Sequence, residues 1–215
     1  MLFRSGGLLA LDATAVGQFM LSRPLVAGLL AGWLLGDPGT GFLAGVVLEI
    51  YLLVAFPVGG ARFPEGAVGA IVAAAAAASE PGPGGLALGV ALGMVWGQLG
   101  GWTISGMRTL NAAFAPDAAA PHLTPARVRG AHLLAILLDF VRGAAMTGAG
   151  AWIAMSVVPR LGERWPLGTD DTRGLLLVGA AVSVGILLRS FEGLARRRAL
   201  FLTGLSLGIA GGLLL

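Results

Sequence analysis

Between Arg23 and Gly66, strongly hydrophobic segments are cut by turn-forming residues, and carboxylates sit inside or at the edges of the cuts. Arg23-Pro24 opens an apolar run to Leu35, which Gly36-Asp37-Pro38-Gly39-Thr40-Gly41 ends. A second apolar run carries Glu49, and Pro57-Val58-Gly59-Gly60 and Pro64-Glu65-Gly66 close the stretch. Every such break frees backbone N–H and C=O groups, which hydrocarbon cannot satisfy. The pattern would serve a water-soluble core badly. In a membrane, helices break only where protein or a water-filled cavity supplies the missing partners, so the stretch marks a binding region.

The rest of the chain agrees with a membrane setting. Of 215 residues, 56% are hydrophobic and 12% charged, with a mean hydropathy of +0.86. A soluble domain carries about 25% charged residues. Several apolar runs approach the ~20 residues that span a bilayer. The expectation is an all-α integral membrane protein of about 7–8 transmembrane or half-spanning helices, broken or re-entrant in the N-terminal half. It forms one membrane domain over 1–215, with the binding region in 1–80 and packing helices in 84–215. All 14 basic residues are arginine, scattered between apolar runs, so the pI near 10.9 points to lipid headgroups and gives no reason to expect nucleic acid. The absence of cysteine excludes disulfides and thiolate chemistry. Asp12 interrupts the N-terminal apolar stretch, which therefore reads as a first membrane segment and not as a removed signal peptide.

Segment by segment, the first run extends from about Gly6 to Leu21, with Asp12 and Gln18 inside it. The second, Leu25 to Leu35, covers about half of a ~30 Å hydrocarbon layer. Gly28, Gly32 and Gly36 recur along it every fourth residue, and Gly41 and Gly45 repeat that spacing in the third run, giving smooth faces for close helix approach. The third run, Gly41 to Val58, is long enough to span and carries Glu49 near its middle. Ala67 to Ser79, with six consecutive alanines, suits a helix buried among other helices. Glu80 to Gly85 is a breaker. Leu86 to Met107 carries Gly89, Gly93, Gly97 and Gly101, a face either for a tight internal crossing or for another subunit. Residues 108–130 read as a polar loop with a short interfacial helix. His132 to Val158, Gly174 to Leu188 and Ala199 to Leu215 complete the runs. Seven arginines in the 108–130 and 189–198 links, against a charge-balanced 159–173 link, place the first two on the cytoplasmic side and the C-terminus outside.

Ionisable groups within membrane segments are functional candidates by default. Asp139 and Arg142 lie three apart on one helix and satisfy each other locally. Arg189, Glu192 and Arg196 form a solvated interfacial cluster. Glu49 has no basic residue within a turn of its own helix, so its partner comes from elsewhere or from a ligand. Glu49, Glu65 and the amide of Gln18 are acceptors suited to a neutral polyhydroxylated ligand. Asp37 serves either the same site or simply the turn it occupies. The two histidines, His122 and His132, have no metal-binding spacing, although His132 and Asp139 can share a helix face. No nucleophile motif is present, which leaves an intramembrane enzyme as a remote alternative.

Several of these motifs resemble the IIC subunit of mannose-family sugar phosphotransferase systems. They are Gln18-Phe19, Ser22-Arg23-Pro24-Leu25-Val26-Ala27-Gly28, Leu35-Gly36-Asp37-Pro38, Thr40-Gly41, Gly45 with Leu48-Glu49, and Pro64-Glu65. Order and spacing match over roughly residues 15–75, and hydropathy over 84–200. The resemblance implies a permease subunit of the bacterial inner membrane that pairs with a IID membrane subunit, as a trimer of such pairs, and carries a hexose or related sugar. Cytoplasmic IIA and IIB components perform the phosphoryl transfer, so this chain would not itself be an enzyme and would need no cofactor. Carried over position by position, Gln18, Glu49 and Glu65 become sugar contacts, and Arg23, Asp37 and Thr40 support the broken helices. Family members commonly place an acidic residue just before the Arg-Pro pair, whereas Asp12 here lies eleven residues upstream of Arg23. Members also often continue past the last arginine cluster. That difference raises a second expectation, a non-transporting scaffold or regulatory relative.

Overall fold

The computed structural model describes residues 1–53, 55, 61–117, 123–190, 199, 202–204 and 206. Over these residues the protein is all-helical, with α1 at Leu2–Thr14, α2 at Pro24–Leu35, α3 at Pro38–Tyr51, α4 at Gly66–Ser79, α5 at Pro83–Phe114, α6 at Pro125–Gly162 and α7 at Thr169–Ser190. The break at 57–60, His122 and the Glu192–Arg198 link lie outside the described residues, as does most of the last apolar run. Among the described residues, only α5, α6 and α7 are long and apolar enough to cross a membrane.

α2 and α3 form an antiparallel hairpin with almost no side chain between them. A Cβ on Gly28 would stand 2.6 Å from the Gly41 carbonyl oxygen, and one on Gly41 would stand 2.5 Å from the Gly32 Cα. A Cβ on Gly45 would meet the Pro24 oxygen at 2.6 Å. The four-residue glycine spacing on both helices is thus one joint seen from two sides. Gly36 does not belong to it. Nothing lies within 4 Å of its would-be Cβ, and its φ of 86° makes it the left-handed cap that ends α2. Pro38 then supplies the first turn of α3, and the Asp37 carboxylate caps it by accepting from Thr40 N at 3.0 Å.

α4 is the centre. Every residue from Ala67 to Ala77 is buried, between the hairpin on one side and α5 and α6 on the other. Methyl side chains let neighbouring backbones come close, and α5 answers with its own glycines. A Cβ on Gly89 would reach the Ala73 oxygen at 2.8 Å, and one on Gly93 the Gly69 oxygen at 2.6 Å. The α5 glycine face is therefore spent on an internal crossing. α1 packs on α6, where Gly143 faces the Ala10 methyl.

Three boundaries differ from those expected. α1 ends at Thr14, short of Leu21, because residues 15–23 turn back: Gly17, Gln18 and Met20 all have positive φ (92°, 55° and 64°). Hydropathy cannot see this, since Val16, Phe19, Met20 and Leu21 are apolar but exposed. α3 stops at Tyr51 and, at 14 residues, covers about 21 Å, too little to span. The polar stretch 108–130 holds the last turns of α5 and the first turns of α6, so its interfacial helix is a continuation of the long ones.

Candidate functional site

Three helix ends meet at the broken region. Pro24 opens α2, Glu49 lies in the last turn of α3, and Glu65 immediately precedes α4. Their closeness has a steric cause: a Cβ on Gly66 would stand 2.8 Å from Pro24 Cγ, so only glycine lets the starts of α2 and α4 converge. Glu49 accepts a hydrogen bond from Leu25 N at 3.3 Å, within the first turn of α2, and forms an ion pair with Arg23. The partner missing from its own helix is therefore supplied by the start of the neighbouring one, whose positive end also favours a carboxylate. The Arg23 side chain is 52% exposed and that of Glu49 16%, so the pair forms a wall open to one side.

Glu65 is placed differently. Its side chain is 1% exposed, and both carboxylate oxygens accept from Arg142, Oε2 from Nη1 at 2.7 Å and Oε1 from Nη2 at 2.9 Å. Arg142 also donates through Nε to Asp139 Oδ1 at 2.8 Å and through Nη1 to Thr103 Oγ1 at 3.2 Å. The remaining Asp139 oxygen accepts from the Thr14 hydroxyl at 2.5 Å. The local Asp139–Arg142 pair expected from their spacing is present. What sequence spacing did not reveal is that the guanidinium also holds a second carboxylate 77 positions away. The result is a buried cluster of two carboxylates and one guanidinium tying together α1, α4, α5 and α6.

Two adjoining cavities open beside these groups. The smaller, about 110 Å³, is lined by Arg23, Glu49 and Glu65. The larger cleft, about 660 Å³, is lined by Asp12, Gln18, Arg23, Arg108, Asn111, His132 and Asp139. Arg23, Ser22, Ala13 and Phe63 border both, so the two spaces share a wall. Of the residues singled out in the sequence, Glu49 and Glu65 share the small cavity and Gln18 lies in the large one. Arg23 stands between them. Asp37 and Thr40 line neither and hold the far turn of the hairpin. His132 and Asp139, two turns apart on α6, do share a face, and it is the one that borders the cleft. Asn111 also lines it, with a buried Oδ1 that has no hydrogen-bond partner. Among the described residues, no group of three or more His, Asp or Glu side chains is arranged to hold a metal ion.

The upstream carboxylate also finds its place. Asp12, eleven residues before Arg23 in sequence, accepts from Phe19 N at 2.7 Å and Ser22 N at 2.8 Å. The turn returns the chain to Asp12 immediately ahead of the Arg-Pro pair.

Residues 5–189 match the family model described as PTS system sorbose-specific IIC component. A relative in Escherichia coli (strain K12), named "Putative N-acetylgalactosamine permease IIC component 2", is 39% identical over 76 residues, 35% of this chain and 57% of that protein. The chain thus spans little more than half the length of the curated relative it matches. Among solved structures, one described as "Structure of membrane protein" has a TM-score of 0.76 at 21% identity, over 99% of this chain and 91% of the other. A cryo-EM structure of the mannose transporter ManYZ in complex with microcin E492 has a TM-score of 0.61 at 20% identity, over 99% and 90%. At these identities the two structures establish a shared membrane-protein fold.

Proposed function

The chain belongs to the PTS sorbose-specific IIC component family, and from that premise we propose that it is the sugar-translocating subunit of a phosphoenolpyruvate-dependent phosphotransferase system in a bacterial inner membrane. In this reading it pairs with a IID membrane subunit in a trimer of pairs, and cytoplasmic IIA and IIB components carry the phosphoryl group. The chain itself performs no bond chemistry. Its task is to hold a hexose or related sugar and let it pass.

The observation that carries the reading is the Arg23–Glu49 pair on the wall between the two cavities, where three helix ends converge. A carboxylate fixed by one arginine and one backbone amide keeps lone pairs free for sugar hydroxyls, and its charge is already balanced, so a neutral ligand suits it. Gln18 contributes an amide that both donates and accepts. Glu65 borders the small cavity with both oxygens engaged by Arg142 and its side chain 1% exposed, so a sugar contact through its remaining lone pairs requires that side chain to open toward the ligand. Asp37 and Thr40 support the site from a distance by keeping the hairpin closed.

Glu49→Gln keeps the shape and removes the charge. Labelled-sugar uptake by cells co-expressing the partner components should fall by at least ~10-fold, the value of one hydrogen bond to a charged acceptor, while membrane abundance stays normal. Normal uptake would remove Glu49 from the site. An assembled complex that carries no sugar across a panel of hexoses and amino sugars would favour the non-transporting relative.

A further inference from the structure

The sugar-site reading uses Gln18 and Arg23 but not the residue that holds the loop between them. Residues 15–23 form neither helix nor strand, and three of them, Gly17, Gln18 and Met20, sit in the left-handed region. Glycine adopts that conformation readily, but Gln18 at φ 55° and Met20 at φ 64° do so against the preference of any residue with a Cβ. Such a conformation persists only where the surroundings over-determine it. Here the Arg23 N–H closes the turn onto the Met20 oxygen at 3.2 Å, and the side chain that holds the loop is one carboxylate. Asp12 is 7% exposed and takes Phe19 N on Oδ1 and Ser22 N on Oδ2, bracketing Met20 between its two bonds. Both ends of the bracket matter to the cavities, because Gln18 and Met20 line the large cleft, and Ser22 and Arg23 border both spaces.

We infer that Asp12 is a positioning residue for the sugar site, a carboxylate clasp that keeps Gln18 directed at the cleft and Arg23 on Glu49. The inference rests on the transport reading above and adds to it a residue that touches no ligand. Its chemistry is specific to a carboxylate. Two N–H donors converge on two oxygens, and asparagine would turn an NH₂ toward one of them, setting donor against donor. The strained positions then lose what holds them, and the loop leaves the left-handed region.

The test compares wild type, Asp12→Asn, Met20→Asn and the double variant in membranes containing the partner components. Two readouts are taken, amide hydrogen exchange over residues 17–22 and the KM and maximal rate of sugar uptake. Asp12→Asn should exchange about tenfold faster in the loop and raise KM about tenfold, as expected for one lost hydrogen bond to a charged group, with the maximal rate largely kept. Asparagine tolerates the left-handed region better than methionine, so Met20→Asn added to Asp12→Asn should recover part of both losses. Unchanged loop exchange in Asp12→Asn overturns the clasp. Faster exchange with an unchanged KM overturns the positioning role, as does a double variant no better than Asp12→Asn. If Asp12→Asn fails to accumulate, Met20→Asn alone decides: slower loop exchange than wild type supports the clasp, and no change overturns it. A wild-type complex that transports none of the panel overturns the transport reading and the positioning role with it, whereas a transporting wild type matched by Asp12→Asn overturns the positioning role alone.

Discussion

At the scale of single residues, Arg142 carries the largest burden. It is the one cation in a buried cluster with Glu65 and Asp139, whose side chains are 1% and 10% exposed. Removing it leaves two carboxylates without a counter-charge, a change that costs about 3–5 kcal/mol for a broken buried pair. Arg142→Met should therefore lower the thermal midpoint of the detergent-solubilised complex sharply and reduce its abundance in membranes. Arg142→Lys should rescue little, because one ammonium cannot reproduce the forked contact with both Glu65 oxygens and the Nε bond to Asp139. Half of this arrangement was legible: Asp139 and Arg142 sit at helical spacing, so their pairing follows from local geometry. The Glu65 half was not, since nothing in a linear chain says which of several buried carboxylates a distant guanidinium will meet. For Glu49 the absence of a nearby cation was itself informative. It pointed to a partner from another element, and Arg23 is that partner.

At the scale of elements, glycine does two separable jobs. Gly41→Ala would put a methyl group 2.5 Å from the Gly28 oxygen and the Gly32 Cα, so the hairpin must open. Overpacking of this kind costs about 1–3 kcal/mol, and its effect should appear as lost uptake together with lowered thermal stability. Gly36→Ala meets no atom and is penalised only through its φ of 86°, by about 1–2 kcal/mol, and Gly36→Asn should be milder. Gly106→Ala, within α5 and with open space around it, should stabilise by about 0.5–1 kcal/mol. The periodic glycines were readable as packing surfaces, but the four-residue rhythm also swept in Gly36, whose role depends on a dihedral angle that spacing does not encode. The end of α1 was misplaced for a related reason. Hydropathy measures the wish to leave water, and the apolar residues after Thr14 satisfy that wish as an exposed turn, with no proline to announce the break.

At the scale of the whole molecule, the long helices fix orientation. α5 and α6 are joined through residues 115–124, and α6 and α7 through 163–168, so these two connections lie on opposite sides if each helix crosses once. The arginine distribution predicts a cytoplasmic position for the first. The chain has no cysteine, which makes the check direct: a membrane-impermeant thiol reagent applied from outside should label Arg164→Cys and spare Ala115→Cys. Both positions are exposed. The reverse pattern would invert the assignment.

The short helices have a consequence of another kind. α2, α3 and α4, at 12 to 14 residues, measure about 18–21 Å, against a hydrocarbon layer of ~30 Å. If the cleft beside them is filled by water from one side, a solute lodged where they converge is separated from the far aqueous phase by a partition thinner than the bilayer around it. The electric potential across the membrane must drop over that partition, so the field there is steeper than elsewhere. The Arg23–Glu49 pair cancels, and a sugar, the ligand proposed above, is uncharged, so neither of them gives that field a net charge to pull on. The rate of the loaded step should then be set by concentration and not by voltage, and uptake measured in vesicles clamped at different potentials should stay level.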